Sequence, residues 1–313
     1  MWNSPVGSRN WDNFSGALRN LLPSISPKQN NSPVAHIISH MRKIFPYLIA
    51  TLILVRFVLA SDAGWLRLDD GLELGRFKAY EYTAFGDSVI TILRIDPQRW
   101  DLKLVSLAAT PETSTLTARD WCAHYGLAAA INAGMFHEDY RTHSGYLRCG
   151  PDVNNPQCNR YKSIAAFSPK RDSLPPFRIF DFDSLDIAPL AADYSCLIQN
   201  LRLIDRAGQN RWSPRPKQWS EAALGEDTQG RILFIFCRSP YSMYDLNNIL
   251  LSLPIDLVCA QHLEGGREAQ LYFKSSDMEL ELTGSYETDF SDSDDNSQAW
   301  PIPNVLGIVK KNR

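Results

Sequence analysis

The chain has 313 residues, of which 44% are hydrophobic and 11% aromatic, a composition typical of a folded globular protein. Its formal net charge is −3, so no basic excess supports nucleic-acid binding. No sequence period of roughly 20–50 residues repeats, which excludes a solenoid or a propeller.

The first 60 residues differ from the rest of the chain. Residues 1–40 are rich in Ser, Asn and Pro, which predicts a disordered segment or an extension upstream of the true start. Residues 41–60 carry a basic pair and then an apolar run ending at Ala60, the pattern of a signal peptide. Cleavage there would export a mature chain of about 250 residues, periplasmic or secreted. The alternative is an uncleaved anchor that holds the protein in the membrane through residues 44–60.

Residues 61–75 contain several Gly and Asp residues and are predicted to be a linker to one folded domain over residues 76–313. β-branched and alternating residues predict the first strands at Phe77–Tyr82, Ser88–Ile95 and Trp100–Leu107. The turn at Asp96–Arg99 predicts that the last two of these strands pair antiparallel. A helix is predicted over Thr115–Tyr125, with Gly126 ending it.

The second half of the chain continues with short apolar runs. Strands are predicted at Ile164–Phe167, Phe177–Phe182, Ser195–Ile204, Ala222–Gly225, Ile232–Cys237, Ile255–Ala260 and Trp300–Val309. Met243–Leu253 has helical spacing after the capping residue Ser242. Many short strands with a few helices predict an α+β domain of mixed, mostly antiparallel β-sheets.

Six cysteines all follow the predicted signal segment, and none forms the Cys-x-x-Cys spacing of a zinc site. Cys149 and Cys158 flank a loop without an apolar period, so a disulfide between them is predicted. The remaining four lie near apolar runs and are interpreted as buried thiols. No metal ion and no cofactor is predicted.

A polar loop directly follows the apolar run that ends at Ile131. Its candidate functional residues are Asn132, Gly134, His137, Glu138, Asp139 and His143. Two carboxylates and two imidazoles within a dozen residues can bind a polar ligand and move a proton. A solvated loop with an ordinary turn is the alternative interpretation.

A second group, Leu263–Arg267, has a similar arrangement: a buried run, then Glu264, Gly265, Gly266 and Arg267. Glycines allow a ligand to approach the backbone closely, and a carboxylate beside them can act as a general base or stabilise a cation. An exposed hairpin turn is the alternative.

Several motifs occur in one order along about residues 75–310: Asn132-Ala-Gly-Met-Phe136, Gln199–Ile204, Ala223-Leu-Gly225, Gly230–Ile235 and Leu263-Glu-Gly-Gly266. This order resembles the phosphodiester glycosidase family. The resemblance implies an exported hydrolase with a mixed-sheet catalytic domain, which cleaves a sugar from a phosphodiester. Its partner would be a sugar phosphodiester or another carbohydrate ligand.

The resemblance also assigns roles, here as hypotheses. Glu264 would activate water or stabilise the sugar cation, with Asp139 or Glu138 as the second carboxylate and His137 as a proton carrier. The substrate-binding set is Asn132, Gly134, His143, Arg148, Arg202, Gly265, Gly266 and Arg267, in which the arginines would hold the phosphate.

Three positions depart from the family pattern. Glu264 stands where the family usually has Asp, Arg267 where many relatives have a small residue or Pro, and Glu221 where an Arg is often found. Two alternatives to an enzyme therefore remain: a catalytically inactive carbohydrate-binding protein of the envelope with the same fold, or a structural anchor protein.

Overall fold

The computed structural model describes residues 64–184 and 186–312. The predicted extension and signal segment, residues 1–60, lie outside the described residues. Within the described part of the chain, no helix has the length and apolarity needed to cross a membrane.

Strands account for most of the regular structure. In chain order they are β1 (Trp65–Asp69), β2 (Leu72–Lys78), β3 (Val89–Ile95), β4 (Trp100–Ser106), β5 (Ala129–Asn132), β6 (Leu147–Cys149), β7 (Asp152–Asn155), β8 (Ser163–Pro169), β9 (Phe177–Asp181), β10 (Tyr194–Asn200), β11 (Arg202–Ile204), β12 (Trp219–Asp227), β13 (Ile232–Tyr241), β14 (Leu257–Gly265), β15 (Gln270–Lys274), β16 (Glu279–Thr283) and β17 (Asn304–Lys310). The helices are α1 (Ala118–Tyr125), α2 (Ala188–Asp193) and α3 (Met243–Ser252), and a 3₁₀ turn covers Gly266–Glu268.

The strands form three sheets. The first has the order β1-β2-β3-β13-β12-β14-β11, the second β7-β6-β10-β8-β9 and the third β16-β15-β5-β17-β4. Every strand pairing in the described residues is antiparallel. The predicted α+β class with mostly antiparallel sheets is confirmed.

One apolar core lies between the three sheets. Each sheet contributes fully buried residues to it, among them Phe234 from the first, Ile198 from the second and Leu306 from the third. Alternate residues of a strand point to opposite faces, so Ala222 and Leu224 of β12 enter this core while Ala223 faces away.

The outer face of each sheet is covered by a helix and its neighbours. Leu246 and Ile249 of α3 pack on the first sheet, Trp121 of α1 on the third, and Leu190 of α2 on the second. Apolar residues on both faces explain why β13 is almost continuously apolar rather than alternating.

Two of these helices begin at side-chain caps. Thr117 accepts a hydrogen bond from the Asp120 amide, and Ser242 accepts one from the Asp245 amide. Gly126 ends α1 in the left-handed conformation (φ 64°), as predicted. The first cap is Thr117 rather than Thr115, so α1 begins later than the predicted helix.

Three sequence-based expectations about the strands are wrong. The stretch 61–75 is not a linker over its described part, because β1 and the start of β2 pair within it. The strands at 89–95 and 100–106 do not pair with each other, because β3 lies between β2 and β13 while β4 pairs with β17. The predicted strand Ser195–Ile204 is broken at Leu201 and joins two different sheets.

The disulfide also differs from the prediction. Cys149 of β6 bonds to Cys196 of β10, and Cys158 remains a free, half-buried thiol. The register explains this pairing, because Cys149 and Cys196 are direct antiparallel partners with Cα atoms 3.9 Å apart. Sequence proximity favoured Cys158, but sheet register decided the partner.

Loss of this disulfide should destabilise the fold. The bond closes a loop with a sequence separation of 47 residues. We expect Cys196→Ser to lower the free energy of unfolding by about 2–4 kcal/mol, as measured by urea unfolding. Cys158→Ser is the matched control and should change it by less than about 1 kcal/mol. Equal losses in both variants, or no effect of reductant on the wild type, would argue against the bond.

Candidate active site

The candidate site is built at the end of β14, where this strand pairs with β12. Glu264 lies opposite Ala222 and His262 lies opposite Ala223, so Leu263 is an extra residue that forms a β-bulge. Bulges re-aim side chains and are frequent beside active sites. Here the bulge places Leu263 in the common core, next to the two polar residues that flank it.

Glu221 and His262 form a buried pair behind Glu264. His262 Nδ1 lies 2.7 Å from Glu221 Oε1, and the Trp219 indole N–H donates to Glu221 Oε2 at 2.8 Å. Glu221 is 0% exposed and His262 is 4% exposed. Burial raises the pKa of Glu221, and the Glu221 carboxylate raises the pKa of His262 above its usual value despite burial.

The carboxyl of Glu264 is strongly perturbed by its surroundings. Desolvation raises its pKa to about 8, although His262 and a hydrogen bond from the Gly265 amide (3.0 Å) act in the opposite direction. The carboxylates of Glu268 and Glu221 add to the increase. Glu264 is therefore largely protonated at neutral pH, which is a common condition for catalytic acids.

Tyr161 and Glu268 complete the surroundings of Glu264. Burial, followed by the charge of Glu264, raises the pKa of the Tyr161 hydroxyl. Its backbone is held by Asn159 and Gln199. Burial also raises the pKa of Glu268, the last residue of the 3₁₀ turn.

Asn132 connects the first predicted group to the second. Its amide nitrogen donates to the Glu268 carbonyl at 2.9 Å, and its oxygen accepts from the Gln270 amide at 2.7 Å. Both ends of the side chain are thus used by backbone groups. Asn132 therefore positions the turn after Glu264.

Gly134 is required by close packing. A Cβ at this position would collide with His143 Nε2 and the side-chain oxygen of Asn200. Asn200 also donates to the Ala133 carbonyl at 3.0 Å, so β10 and the segment after β5 are joined here.

His143 is fully buried rather than open to a ligand. Its Nδ1 lies 2.9 Å from the Gly145 carbonyl oxygen, and burial lowers its pKa to about 4. It is therefore neutral at physiological pH, and its side chain interacts with that of Asn200. This arrangement supports packing against Gly134 more than proton transfer.

The three predicted residues His137, Glu138 and Asp139 lie in an exposed loop. Asp139 accepts hydrogen bonds from the amides of Arg141 and Thr142 and from the Thr142 hydroxyl. These bonds lower its pKa and use its carboxylate to hold the loop's own turn. Among the described residues, no hydrogen bond or ion pair joins these three side chains to Glu264.

The three predicted phosphate-binding arginines are engaged elsewhere. Arg202 donates to Asp181 and Asp183, both at 3.2 Å. Arg267 donates to Ser291 at 2.6 Å and to Asp295 at 2.7 Å. Arg148 donates to the Gly150 carbonyl at 3.1 Å.

The two glycines after Glu264 are needed for different reasons. A Cβ on Gly265 would lie 2.6 Å from the Trp219 ring. Gly266 has φ 62°, and a Cβ there would lie 2.8 Å from Glu287 Oε2. Both positions therefore bring the backbone close to site side chains.

A pocket of about 400 Å³ lies beside this turn. It is lined by Arg267, Glu268, Glu287, Phe290, Ser291, Ser293 and Trp300. Phe290 is 87% exposed, and the Arg267 guanidinium lies 5.6 Å from the Trp300 ring centroid. Carboxyls beside aromatic rings suit a polar ring such as a sugar.

Sequence reasoning missed His262, Tyr161, Glu268 and Glu287 as site residues. His262 is only two residues from the candidate Glu264, but the bulge between them interrupts the ordinary alternation of faces, so strand periodicity alone would not have indicated it. Tyr161 and Glu287 are distant in sequence and no local pattern points to them. Within the described residues, no cluster of three His, Cys, Asp or Glu side chains could hold a metal ion.

The described residues thus form an antiparallel α+β domain in which a largely protonated carboxyl lies near a buried histidine–carboxylate pair. The sequence profile of the phosphodiester glycosidases matches residues 125–309, more than half of the chain. The protein belongs to the phosphodiester glycosidase family.

Solved structures share its fold. One is the zebrafish N-acetylglucosamine-1-phosphodiester alpha-N-acetylglucosaminidase catalytic domain, auto-inhibited by its pro-peptide, at 14% identity and a TM-score of 0.57. The match covers 79% of this chain and 86% of the zebrafish chain. A hypothetical protein from Synechocystis is 13% identical, with a TM-score of 0.50. This match covers 79% of the present chain and 63% of the Synechocystis chain. No protein with a curated description matches the sequence.

The packing around Gly134 can be tested by adding one methyl group. Gly134→Ala should lower the free energy of unfolding by about 1–3 kcal/mol, because its Cβ collides with His143 and Asn200. Gly208→Ala is the matched control: its Cβ meets open space, although the position has φ 71°. Only the backbone penalty of about 1–2 kcal/mol is expected there. A smaller loss at 134 than at 208 in chemical unfolding would contradict the packing.

The raised pKa of Glu264 predicts a pH-dependent stability. Between the ordinary value of 4.5 and about 8, the folded protein holds a proton that the unfolded chain has released. The free energy of unfolding should therefore fall as pH rises through this window, by up to about 5 kcal/mol for this group. Glu264→Gln should remove that part of the slope in urea unfolding at several pH values. Glu138→Gln, which changes an exposed carboxyl, should keep the wild-type slope.

Proposed function

We propose that the protein hydrolyses the bond between a sugar anomeric carbon and a phosphodiester oxygen, with Glu264 as the principal catalytic carboxyl. The position of Glu264 carries this proposal: in a chain of this family, it is a desolvated carboxyl beside a polar pocket. Perturbed carboxyls at such places are frequent catalytic groups.

The proposed reaction consumes one water molecule. The bond between C1 and the bridging oxygen breaks, the electron pair leaves with the phosphate monoester, and water supplies the hydroxyl of the free sugar. The second proton of water is released through a carboxylate. The developing cation at C1 is the high-energy feature, as in other glycosidases.

A protonated Glu264 suits an anionic substrate. A neutral carboxyl can lie against a phosphodiester without charge repulsion and can donate a hydrogen bond to its departing oxygen. This assigns Glu264 the role of an acid, whereas the sequence-based hypothesis gave it the role of a base or electrostatic stabiliser. The difference comes from its desolvation, which sequence does not reveal.

The second carboxylate is a separate part of the proposal. The sequence-based candidates were Asp139 and Glu138, but Asp139 already serves its own loop. Glu268 is better supported, because it lines the pocket and its charge acts on Glu264. We assign it the acceptance of the proton from water.

We further propose that the protein works after export. The apolar run over residues 44–60 supports passage through or attachment to a membrane. The Cys149–Cys196 disulfide suits an oxidising compartment. The ligand of the pocket is proposed to be the sugar ring of the phosphodiester, stacked against Trp300 or Phe290.

Turnover tests the proposal directly. The full chain is assayed with a panel of glycosyl-1-phosphodiesters, and release of free sugar is measured. Glu264→Gln should lower kcat by at least about 100-fold, because it removes the acid while keeping the shape. The wild-type rate should fall as pH rises through about 8, where Glu264 loses its proton.

Asp139→Asn is the matched control, since the two side chains have one shape and the residue is exposed. It should change kcat less than about threefold. An inactive wild type that still binds glycans would instead support the carbohydrate-binding alternative. Equal rate losses at 264 and 139 would contradict the assigned roles.

A further inference from the structure

The candidate site holds many carboxyl groups for a protein whose proposed substrate is an anion. Glu221, Glu264, Glu268 and Glu287 all belong to the turn after β14 or its neighbours. Protonation of Glu264 reduces the repulsion of a phosphodiester but supplies no positive charge. A cationic donor at close range would strengthen the binding of a phosphate, because charge-assisted hydrogen bonds are the stronger ones.

The cation that lines the pocket and the lysine that contacts its lining are already paired. Arg267 is bound to Asp295, and Lys217 lies 3.3 Å from Glu287. Taking either of them for a phosphate would leave a carboxylate without its partner. Each such exchange offsets part of the binding free energy.

His262 differs from these cations in its second ring nitrogen. Glu221 engages Nδ1 at 2.7 Å, and Trp219 fixes the other oxygen of that carboxylate. The ring is therefore held in one orientation, with the proton on Nδ1. Nε2 has no hydrogen-bond partner among the described residues. It is nevertheless not among the unpaired polar atoms that are completely shielded from solvent.

The groups that face His262 favour its charged form. They are Glu221 from β12, Glu264 from the same strand and Glu287 from the segment after β16, all of them acidic. Burial lowers the pKa of His262. The carboxyls raise it by more than burial lowers it, so the pKa lies above its usual value. Lys217 is already paired with Glu287 and partly screens it.

We propose that His262 is the phosphate-binding cation of this site: Glu221 holds Nδ1–H, and Nε2–H donates to a phosphate oxygen of the substrate. The inference rests on the proposed function, since it takes the ligand to be a phosphodiester. It names a binding residue outside the arginines that sequence alone indicated. Glu221 is then a positioning residue that acts through His262.

Binding of inorganic phosphate to the full chain tests this assignment without turnover. Isothermal titration calorimetry at about pH 6.5 should show at least about 10-fold weaker binding for His262→Gln than for the wild type. Glu221→Gln keeps the shape of the pair but removes its charge, and should also weaken binding. In the wild type, affinity should fall at alkaline pH as the imidazolium loses its proton.

His124→Gln is the matched control, because His124 also pairs with a carboxylate, Glu112, at 3.2 Å, but is exposed. It should bind phosphate as the wild type does. Nitrogen NMR shifts of His262 should respond to phosphate at Nε2 rather than at Nδ1, and should titrate at lower pH in Glu221→Gln. A merely structural pair would show no phosphate response at Nε2.

The outcomes separate the two proposals. Equal phosphate affinity in the wild type and a folded His262→Gln variant would overturn the assignment, as would a wild type that binds no phosphate. Sugar release by the wild type in either case would leave the proposed function standing. Phosphate binding that depends on His262, with no turnover of any phosphodiester, would support the assignment and count against hydrolysis. If His262→Gln does not fold, Glu221→Gln with the NMR titration decides.

Discussion

Strands β12 and β14 run antiparallel within the seven-stranded sheet, and the bulge at Leu263 interrupts their register at one point. That bulge allows Leu263 to fill the common core while His262 and Glu264 take part in the polar site. Glu221, on the facing strand, then meets His262. The site thus depends on strand register, because a one-residue slip would send each of these side chains to the opposite face.

Burial of so many ionisable groups must be compensated, since an isolated charge inside a protein is strongly unfavourable. This fold compensates in two ways. Glu221 and His262 share a short hydrogen bond and opposite charges, and Trp219 donates to the remaining carboxylate oxygen. Glu264 instead keeps its proton, which makes it neutral where its neighbours are acidic. Desolvation is the main cause that stabilises this protonated form.

In the polar loop after β5, two of the candidate side chains make structural contacts within the protein. Its crowded carboxylates and imidazoles predicted a reactive loop, yet Asp139 closes its own turn and His143 is buried against Gly134. The predicted phosphate-binding arginines Arg202 and Arg267 likewise already donate hydrogen bonds to carboxylates of the protein. Local composition lists the groups available for chemistry, whereas competition among neighbours determines which of them remain open to a ligand.

The sequence by itself determined the α+β class, most strand positions and the capped helix after Ser242. Those features depend on side-chain periodicity, capping and backbone freedom, which are local properties. Tertiary structure decided the disulfide partner of Cys149, the assignment of β3 and β4 to different sheets, and the pairing of Glu221 with His262. These depend on contacts between residues far apart in the chain, and on a desolvation that arises only once the sheets enclose them.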